Sequence, residues 1–245
     1  MTIIDDLKVK IFADGAEIGG MLEMAKLPYI KGFTTNPTLM RKAGVADYER
    51  FARDLLTKIT SQPVSFEVFA DDLPTMIAQG RTIAAWGNNV NVKIPVMNTK
   101  GEFTGPVLRA LASEGVQVNV TAVFTTEQVT AVAAALETDV PAIVSVFAGR
   151  IADTGIDPVP HMHKCKDLLT SKPKAELLWA SPREVLNIFQ ADAVGCHIIT
   201  CTNDLIAKLK LAGKDLTAYS RETVEMFHKD ATAAAYSIDR AKSAA

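Results

Sequence analysis

In Val90-Asn91-Val92-Lys93-Ile94-Pro95-Val96 every second residue is β-branched, and one charge stands at the centre. Branched side chains favour the extended backbone. A short apolar run between turn formers reads as a strand covered on both faces. Working outward from residues 90–94, similar runs lie at 9–13, 32–35 and 64–68 on one side, and at 116–120, 142–146, 176–179 and 197–200 on the other. Helix-type segments fall between them, near 16–27, 45–59, up to 86, 105–113, 127–136, 159–169, 183–189 and 204–211. Eight strand–helix units in 245 residues, about 31 residues each, predict an α/β fold of the TIM (β/α)8 barrel type. The rival, a doubly wound open sheet, would carry a glycine fingerprint after its first strand. Gly15-Ala16-Glu17-Ile18-Gly19-Gly20 does not match it.

No linker or low-complexity stretch divides the chain, so one domain spanning 1–245 is expected. The tail is Ala-rich, and Val224, Phe227, Ala231, Ala234 and Ile238 recur at helical spacing. They predict an additional C-terminal helix over about 220–241, packed on its own barrel or on another subunit. The charge balance of 26 basic against 28 acidic residues speaks against a strongly basic nucleic-acid binder. No uncharged run approaches the roughly 20 residues of a membrane span. Residues 1–6 lack the basic start and apolar middle of a secretion signal, so a cytoplasmic chain is expected. Three cysteines, Cys165, Cys196 and Cys201, fit reduced thiols rather than a disulfide framework. Neither Cys196-His197 with Cys201 nor His161-Met162-His163 has zinc-site spacing, and no metal is expected.

In a barrel the reacting groups sit at the C-terminal ends of the strands. Read in order, those positions hold Asp14, then Thr34 and Asn36, Glu67, Lys93, Asn119 and Thr121, Ser145 with Arg150, and Ser181 with Arg183. Lys93 is the centre of the set. Facing inward, it would be desolvated, which disfavours the ammonium form. A neutral amine can attack a carbonyl and form a Schiff base. A lysine reaching out at the strand end, or one paired structurally with Glu67, reads equally well from pattern alone. Asp14 before Gly15 and Asn36 before Pro37 also suit helix caps. Glu67 between Phe66 and Val68 needs a partner, as does the amide of Asn119, while Ser145 also suits a small filler of the barrel interior. Two guanidinium groups, Arg150 and Arg183, with the Ser181 hydroxyl near a helix start would make an anion site. Two solvated arginines are the plainer alternative.

The chain resembles the transaldolase family. The resemblance rests on Phe12-Ala13-Asp14, Thr34-Thr35-Asn36-Pro37, Ser65-Phe66-Glu67-Val68, Val92-Lys93-Ile94-Pro95, Asn119-Val120-Thr121, the run from Ser145 to Ile151, and Ala180-Ser181-Pro182-Arg183. Seven motifs fall in register over nearly the whole chain. The resemblance implies that Lys93 attacks the keto group of a ketose phosphate. Glu67 would relay protons through a water held partly by Thr121. Asp14 would take the proton of the C4 hydroxyl as the C3–C4 bond breaks. Asn36, Asn119 and Ser145 would hold the hydroxyls of the bound three-carbon unit, with Thr34 lining the same pocket. Arg150, Ser181 and Arg183 would grip phosphate. No metal or organic cofactor is implied, and the expected partners are sugar phosphates, not nucleic acid or membrane. Fructose-6-phosphate aldolases, the nearest alternative, typically carry Gln at the position of Glu67 and Tyr at that of Phe147. Both positions here fall on the transaldolase side. A barrel that binds sugar phosphate without catalysis is the third reading; it would not require Lys93, Glu67 and Asp14 together. Short members of the family form rings of barrels whose last helix crosses to a neighbour, so a homo-oligomer is expected.

Overall fold

The computed structural model describes residue 4, residues 6–236 and residue 238. Its strands and helices alternate as β1 (Lys10–Asp14), α1 (Ile18–Ala25), β2 (Ile30–Thr34), α2 (Pro37–Lys42), α3 (Tyr48–Leu56), β3 (Val64–Glu67), α4 (Leu73–Ala84), β4 (Val90–Pro95), α5 (Gly105–Ser113) and β5 (Val118–Val123). They continue as α6 (Thr126–Ala135), β6 (Ala142–Val146), α7 (Ala148–Asp153), α8 (Pro158–Leu168), β7 (Ala175–Trp179), α9 (Leu186–Val194), β8 (Ile198–Thr202), α10 (Asn203–Ala207) and α11 (Leu216–Ala233). All eight strands pair in parallel in sequence order, and β8 closes on β1. This is the expected (β/α)8 barrel followed by a C-terminal helix.

Strand parity sorts the side chains. Ile11 and Ala13, Val64 and Phe66, Val92 and Ile94, Val118 and Val120, and Leu177 belong to the large core between barrel and helices. The alternate positions face the barrel axis. There Phe12, Ile143, Leu178, Ala180 and Ile198 form a separate apolar plug. Ser65, Lys93, Asn119 and Ser145 have the same inward parity and are buried. The barrel interior is therefore apolar on one side and polar on the other. Glu67, Lys93 and Asn119 are register partners across β3, β4 and β5.

Several boundaries differ from the sequence reading. β5 starts at Val118 rather than 116, because the Val116 N–H bonds the Leu111 carbonyl and so caps α5. The expected helix over 45–59 begins at Tyr48, with Asp47 accepting from the Arg50 N–H, and a separate short α2 precedes it. α9 begins at Leu186 rather than 183, because the Asn187 side chain binds the N–H groups of Arg183 and Glu184 and holds them in the loop. The last helix runs from Leu216, capped by Asp215, to Ala233, not over 220–241. Ile238 lies past its end, and 239–241 fall outside the described residues.

The chain packs as two compact units, Met1–Leu209 and Lys210–Ala245. The first contains the complete barrel. Within the second, Lys214 pairs with Glu222 and lies over the Tyr219 ring. Among the described residues no helix is long and apolar enough to cross a membrane.

Gly32 shows how tightly the plug is packed. A Cβ there would lie 2.5 Å from Cζ of Phe12. Gly32→Ala should cost about 1–3 kcal/mol by overpacking. Phe12→Leu in the same chain should recover part of that loss. Urea unfolding midpoints measure both, and an unchanged midpoint in the single variant would mean that the ring moves aside freely.

Candidate active site

A cavity of about 470 Å³ opens at the C-terminal end of the barrel. Its walls include Asp14, Thr34, Asn36, Glu67, Lys93, Thr121, Ser145, Phe147, Arg150, Ser181 and Arg183. Eleven of the twelve residues singled out from sequence thus meet in one place. The twelfth, Asn119, lies beneath the wall. It is fully buried, donating from Nδ2 to Ser65 Oγ at 3.0 Å and accepting from Ser145 Oγ at 2.7 Å. The amide supports the cavity floor through Ser145 rather than presenting itself to the cavity.

Lys93 is only 7% exposed. Its Nζ lies 3.1 Å from Glu67 Oε2 and donates to the Thr35 carbonyl at 2.9 Å. The buried amine is therefore paired, and the alternative of a lysine reaching out into solvent is excluded. Asp14 closes the opposite side. Thr34 Oγ1 donates to Asp14 Oδ1 at 2.9 Å, and Asn36 Nδ2 donates to Oδ2 at 3.2 Å. Thr34 is in turn bonded to Thr200 Oγ1 on β8 at 2.5 Å. Since the Thr34 proton goes to Asp14, Thr200 must be the donor in that bond. Burial pushes the Asp14 carboxyl above its ordinary value of 3.8, against the opposing pull of the Lys93 charge and the Thr34 and Asn36 bonds.

The capping alternatives resolve differently. Asn36 does cap α2, its Oδ1 accepting from the Leu39 N–H, while its amide nitrogen serves Asp14. Asp14 caps no helix; Glu17 takes that role for α1.

Thr121 is aimed by a bulge. Between Val120 and Val123 the β5 register slips against β6, and Ala122 adopts φ +57°. The Thr121 hydroxyl is buried without a hydrogen-bond partner among the described residues. A buried hydroxyl left unsatisfied costs about 1–3 kcal/mol, and this one lines the cavity beside Lys93 and Glu67.

The remaining wall is cationic. Arg150 lies 4.9 Å over the Phe147 ring. Arg183 is gripped by both carboxylate oxygens of Asp153 on α7, with Nε to Oδ1 at 2.9 Å. The pair holds the Asp153 carboxyl below its ordinary range. Ser181 sits at φ +58°, and a Cβ on Gly149 would lie 1.6 Å from the Ser181 carbonyl oxygen. The start of α7, which carries Arg150, and the loop that carries Arg183 are thus packed backbone to backbone.

Sequence reasoning missed Thr200, Lys42, Asp153 and Tyr48. Thr200 and Lys42 line the cavity. The late inward position of the eighth strand was a usable signal for Thr200; none marked the other three. The three cysteines are buried free thiols, and burial pushes Cys165 and Cys196 up to about 12. His197 Nδ1 accepts from the Leu177 N–H. Among the described residues no group of three or more His, Cys, Asp or Glu is placed to hold a metal.

An eight-stranded parallel barrel with a paired, buried lysine facing the cavity at the C-terminal ends of its strands defines the class. Residues 11–243 match the family model described as Transaldolase/Fructose-6-phosphate aldolase. A probable transaldolase 2 of Listeria monocytogenes is 33% identical over 202 residues, covering 82% of this chain and 88% of the relative. A probable transaldolase of Shouchella clausii is 32% identical over 225 residues, covering 89% and 100%. One of Nitrosopumilus maritimus is 32% identical over 203 residues, covering 82% and 87%. The chain belongs to the transaldolase/fructose-6-phosphate aldolase family. A crystal structure of 2,3-dimethylmalate lyase, from the PEP mutase/isocitrate lyase superfamily, superposes with a TM-score of 0.54 at 16% identity, covering 93% of this chain and 85% of that one. That likeness is one of fold alone.

The raised Asp14 carboxyl has a consequence for stability. The folded chain holds a proton there more tightly than the unfolded chain does. Its contribution is therefore least unfavourable below about pH 3.8 and worsens as pH rises through the folded value. Asp14→Asn should raise stability at pH 7 by on the order of 1 kcal/mol. The gain should fade on acidification toward pH 4. Thermal unfolding across pH checks this; a variant less stable than the parent at pH 7 would show that the Lys93 attraction outweighs burial.

Proposed function

We propose that the protein is a transaldolase, moving a dihydroxyacetone unit from a ketose phosphate to an aldose phosphate through a Schiff base on Lys93. The observation that carries this reading is the buried Lys93 amine between the Glu67 carboxylate and the Thr35 carbonyl, facing a cavity that also holds Asp14. A stable core has no need of that arrangement. Replacing a buried pair of opposite charges by apolar residues is often neutral or stabilising, so stability alone does not account for this pair.

In this reading the Lys93 ammonium gives a proton to Glu67 and the freed Nζ attacks the C2 carbonyl of the ketose. Glu67 returns that proton to the new alkoxide through a water held by Thr121, which gives the carbinolamine. It then takes a second proton from the attached nitrogen and delivers it to the hydroxyl, which leaves as water. The iminium draws in the electron pair of the C3–C4 bond while Asp14 takes the C4 hydroxyl proton. An aldose phosphate leaves, and the enamine remains on Lys93. The same steps run backward onto a second aldose phosphate, for which fructose 6-phosphate and sedoheptulose 7-phosphate are the expected ketose partners. Ser145 and Asn36 bind the hydroxyls of the three-carbon unit, and Asn119 acts by holding Ser145. Arg150, Ser181 and Arg183 bind the phosphate, with Arg183 pre-aimed by Asp153.

Transfer rather than release rests on Glu67 and Phe147. The Phe147 ring lines the cavity without a hydroxyl, so it cannot bind the catalytic water and assist hydrolysis of the intermediate.

Borohydride with fructose 6-phosphate should fix a three-carbon adduct on Lys93, and Lys93→Ala should give none. An unmodified Lys93 in the parent chain would end this reading. With erythrose 4-phosphate present a seven-carbon sugar phosphate should form; accumulation of free dihydroxyacetone in its place would favour the aldolase alternative. Phe147→Tyr should raise the ratio of free dihydroxyacetone to transfer product about tenfold, and an unaltered product ratio would remove this role for Phe147.

A further inference from the structure

Glu67 must face Lys93, and β3 alone does not ensure it. On the β4 side the position is secured: Glu67 and Lys93 are register partners, and the Val68 N–H bonds the Lys93 carbonyl at 3.1 Å. On the β2 side the ladder stops early. Phe33 pairs with Val64 and Thr34 with Ser65, and the last rung runs from the Thr35 N–H to the Ser65 carbonyl at 3.2 Å. A parallel ladder would continue with a bond from the Glu67 N–H to the Thr35 carbonyl. That bond is not made. The Thr35 carbonyl accepts from Lys93 Nζ at 2.9 Å, and the Glu67 N–H donates to the Tyr48 hydroxyl at 2.7 Å. The same hydroxyl donates to the Glu67 carbonyl at 3.2 Å.

From this substitution of partners we infer that Tyr48 is a positioning residue: its hydroxyl stands in for the missing rung, which frees the Thr35 carbonyl for the lysine and fixes the Glu67 backbone opposite it. Without a substitute, the Glu67 N–H would compete with Lys93 for the Thr35 oxygen or stay unpaired inside the protein, at a cost the strand end would relieve by moving. The ring is well held for the task. It lies edge-on to Phe66 and Trp86, with centroids 6.1 and 5.6 Å away, and tilted against Phe69 at 4.6 Å. Burial also pushes the phenol well above its ordinary range, so the hydroxyl keeps its proton. Tyr48 does not line the cavity and touches no reacting atom. It acts through Glu67 and Lys93.

The inference rests on the transaldolase reading, and the experiment separates the two. Parent, Tyr48→Phe and Phe69→Leu chains are compared. Phe69→Leu thins the same aromatic packing and leaves the hydroxyl in place. Tyr48→Phe should lower kcat and the rate of borohydride trapping on Lys93 about tenfold, with KM changed less than twofold, because substrate contacts remain and only the register of the acid–base pair is lost. Amide exchange of the peptide covering residues 64–68 should speed up in the same variant. Phe69→Leu should keep the parent's kcat and trapping rate. A Tyr48→Phe chain with the parent's kcat, trapping and exchange overturns the positioning role, as does an equal kcat loss in both variants, which would make the ring a packing element only. A parent chain that forms no adduct at all sinks the Schiff-base reading itself and the catalytic part of this inference with it, whereas a parent that traps beside an unaffected Tyr48→Phe chain sinks the inference alone.

Discussion

One amine, taken out of water and held between a carboxylate and a backbone carbonyl, sets the terms for the rest of this molecule. Desolvating a lysine and a glutamate costs several kcal/mol per ion even after relaxation. Their contact at 3.1 Å offsets that cost. The barrel supports the arrangement from outside. Its outward-facing strand residues, with the helices packed on them, make the large core. Its inward face can then be polar on the side where Lys93, Ser65, Asn119 and Ser145 lie. The Phe12, Ile143, Leu178 and Ile198 plug fills the remainder.

The site is layered around that amine. Glu67 and the Thr35 carbonyl touch it. Asp14 stands across the cavity, drawn down by the lysine charge and by two donated bonds, yet pushed up by burial. Behind Asp14 the hydroxyls of Thr34 and Thr200 form a chain whose direction follows from proton counting. Beneath it, Asn119 links Ser65 to Ser145. At the rim, two arginines are oriented by quite different partners: an aromatic face for Arg150 and a carboxylate fork for Arg183. Such supporting contacts fix reacting groups more precisely than the groups could fix themselves.

Much of this was legible in the chain. The alternation of short Val- and Ile-rich runs with helical segments implied the barrel, because parallel strands covered on both faces need that composition. Polar residues at strand ends implied the site, and ten of those eleven line one cavity. Asn119, expected to hold hydroxyls of the three-carbon unit, lies behind the cavity wall, since strand parity gives the face but not the depth at which a side chain ends. Boundaries slipped where a cap took residues from a strand, as at Val116, or where a side chain held a loop open, as Asn187 does for Arg183. The last helix began before the Ala-rich stripe, because the capping Asp215 and not the stripe sets its start.

By itself, the sequence determined the periodicity, and hence which residues face inward, which end a strand and which carry ionisable groups. These properties are local, settled by side-chain branching and spacing along the chain. Only the tertiary structure decided the partnerships: Lys93 with the Thr35 carbonyl, the Glu67 N–H with Tyr48, Thr200 with Thr34, and Arg183 with Asp153. Each joins groups far apart in the chain, at a strand end where the ladder stops or a loop turns. There unpaired backbone groups and polar side chains take whatever partner closure of the barrel brings within reach, and no local pattern records that choice.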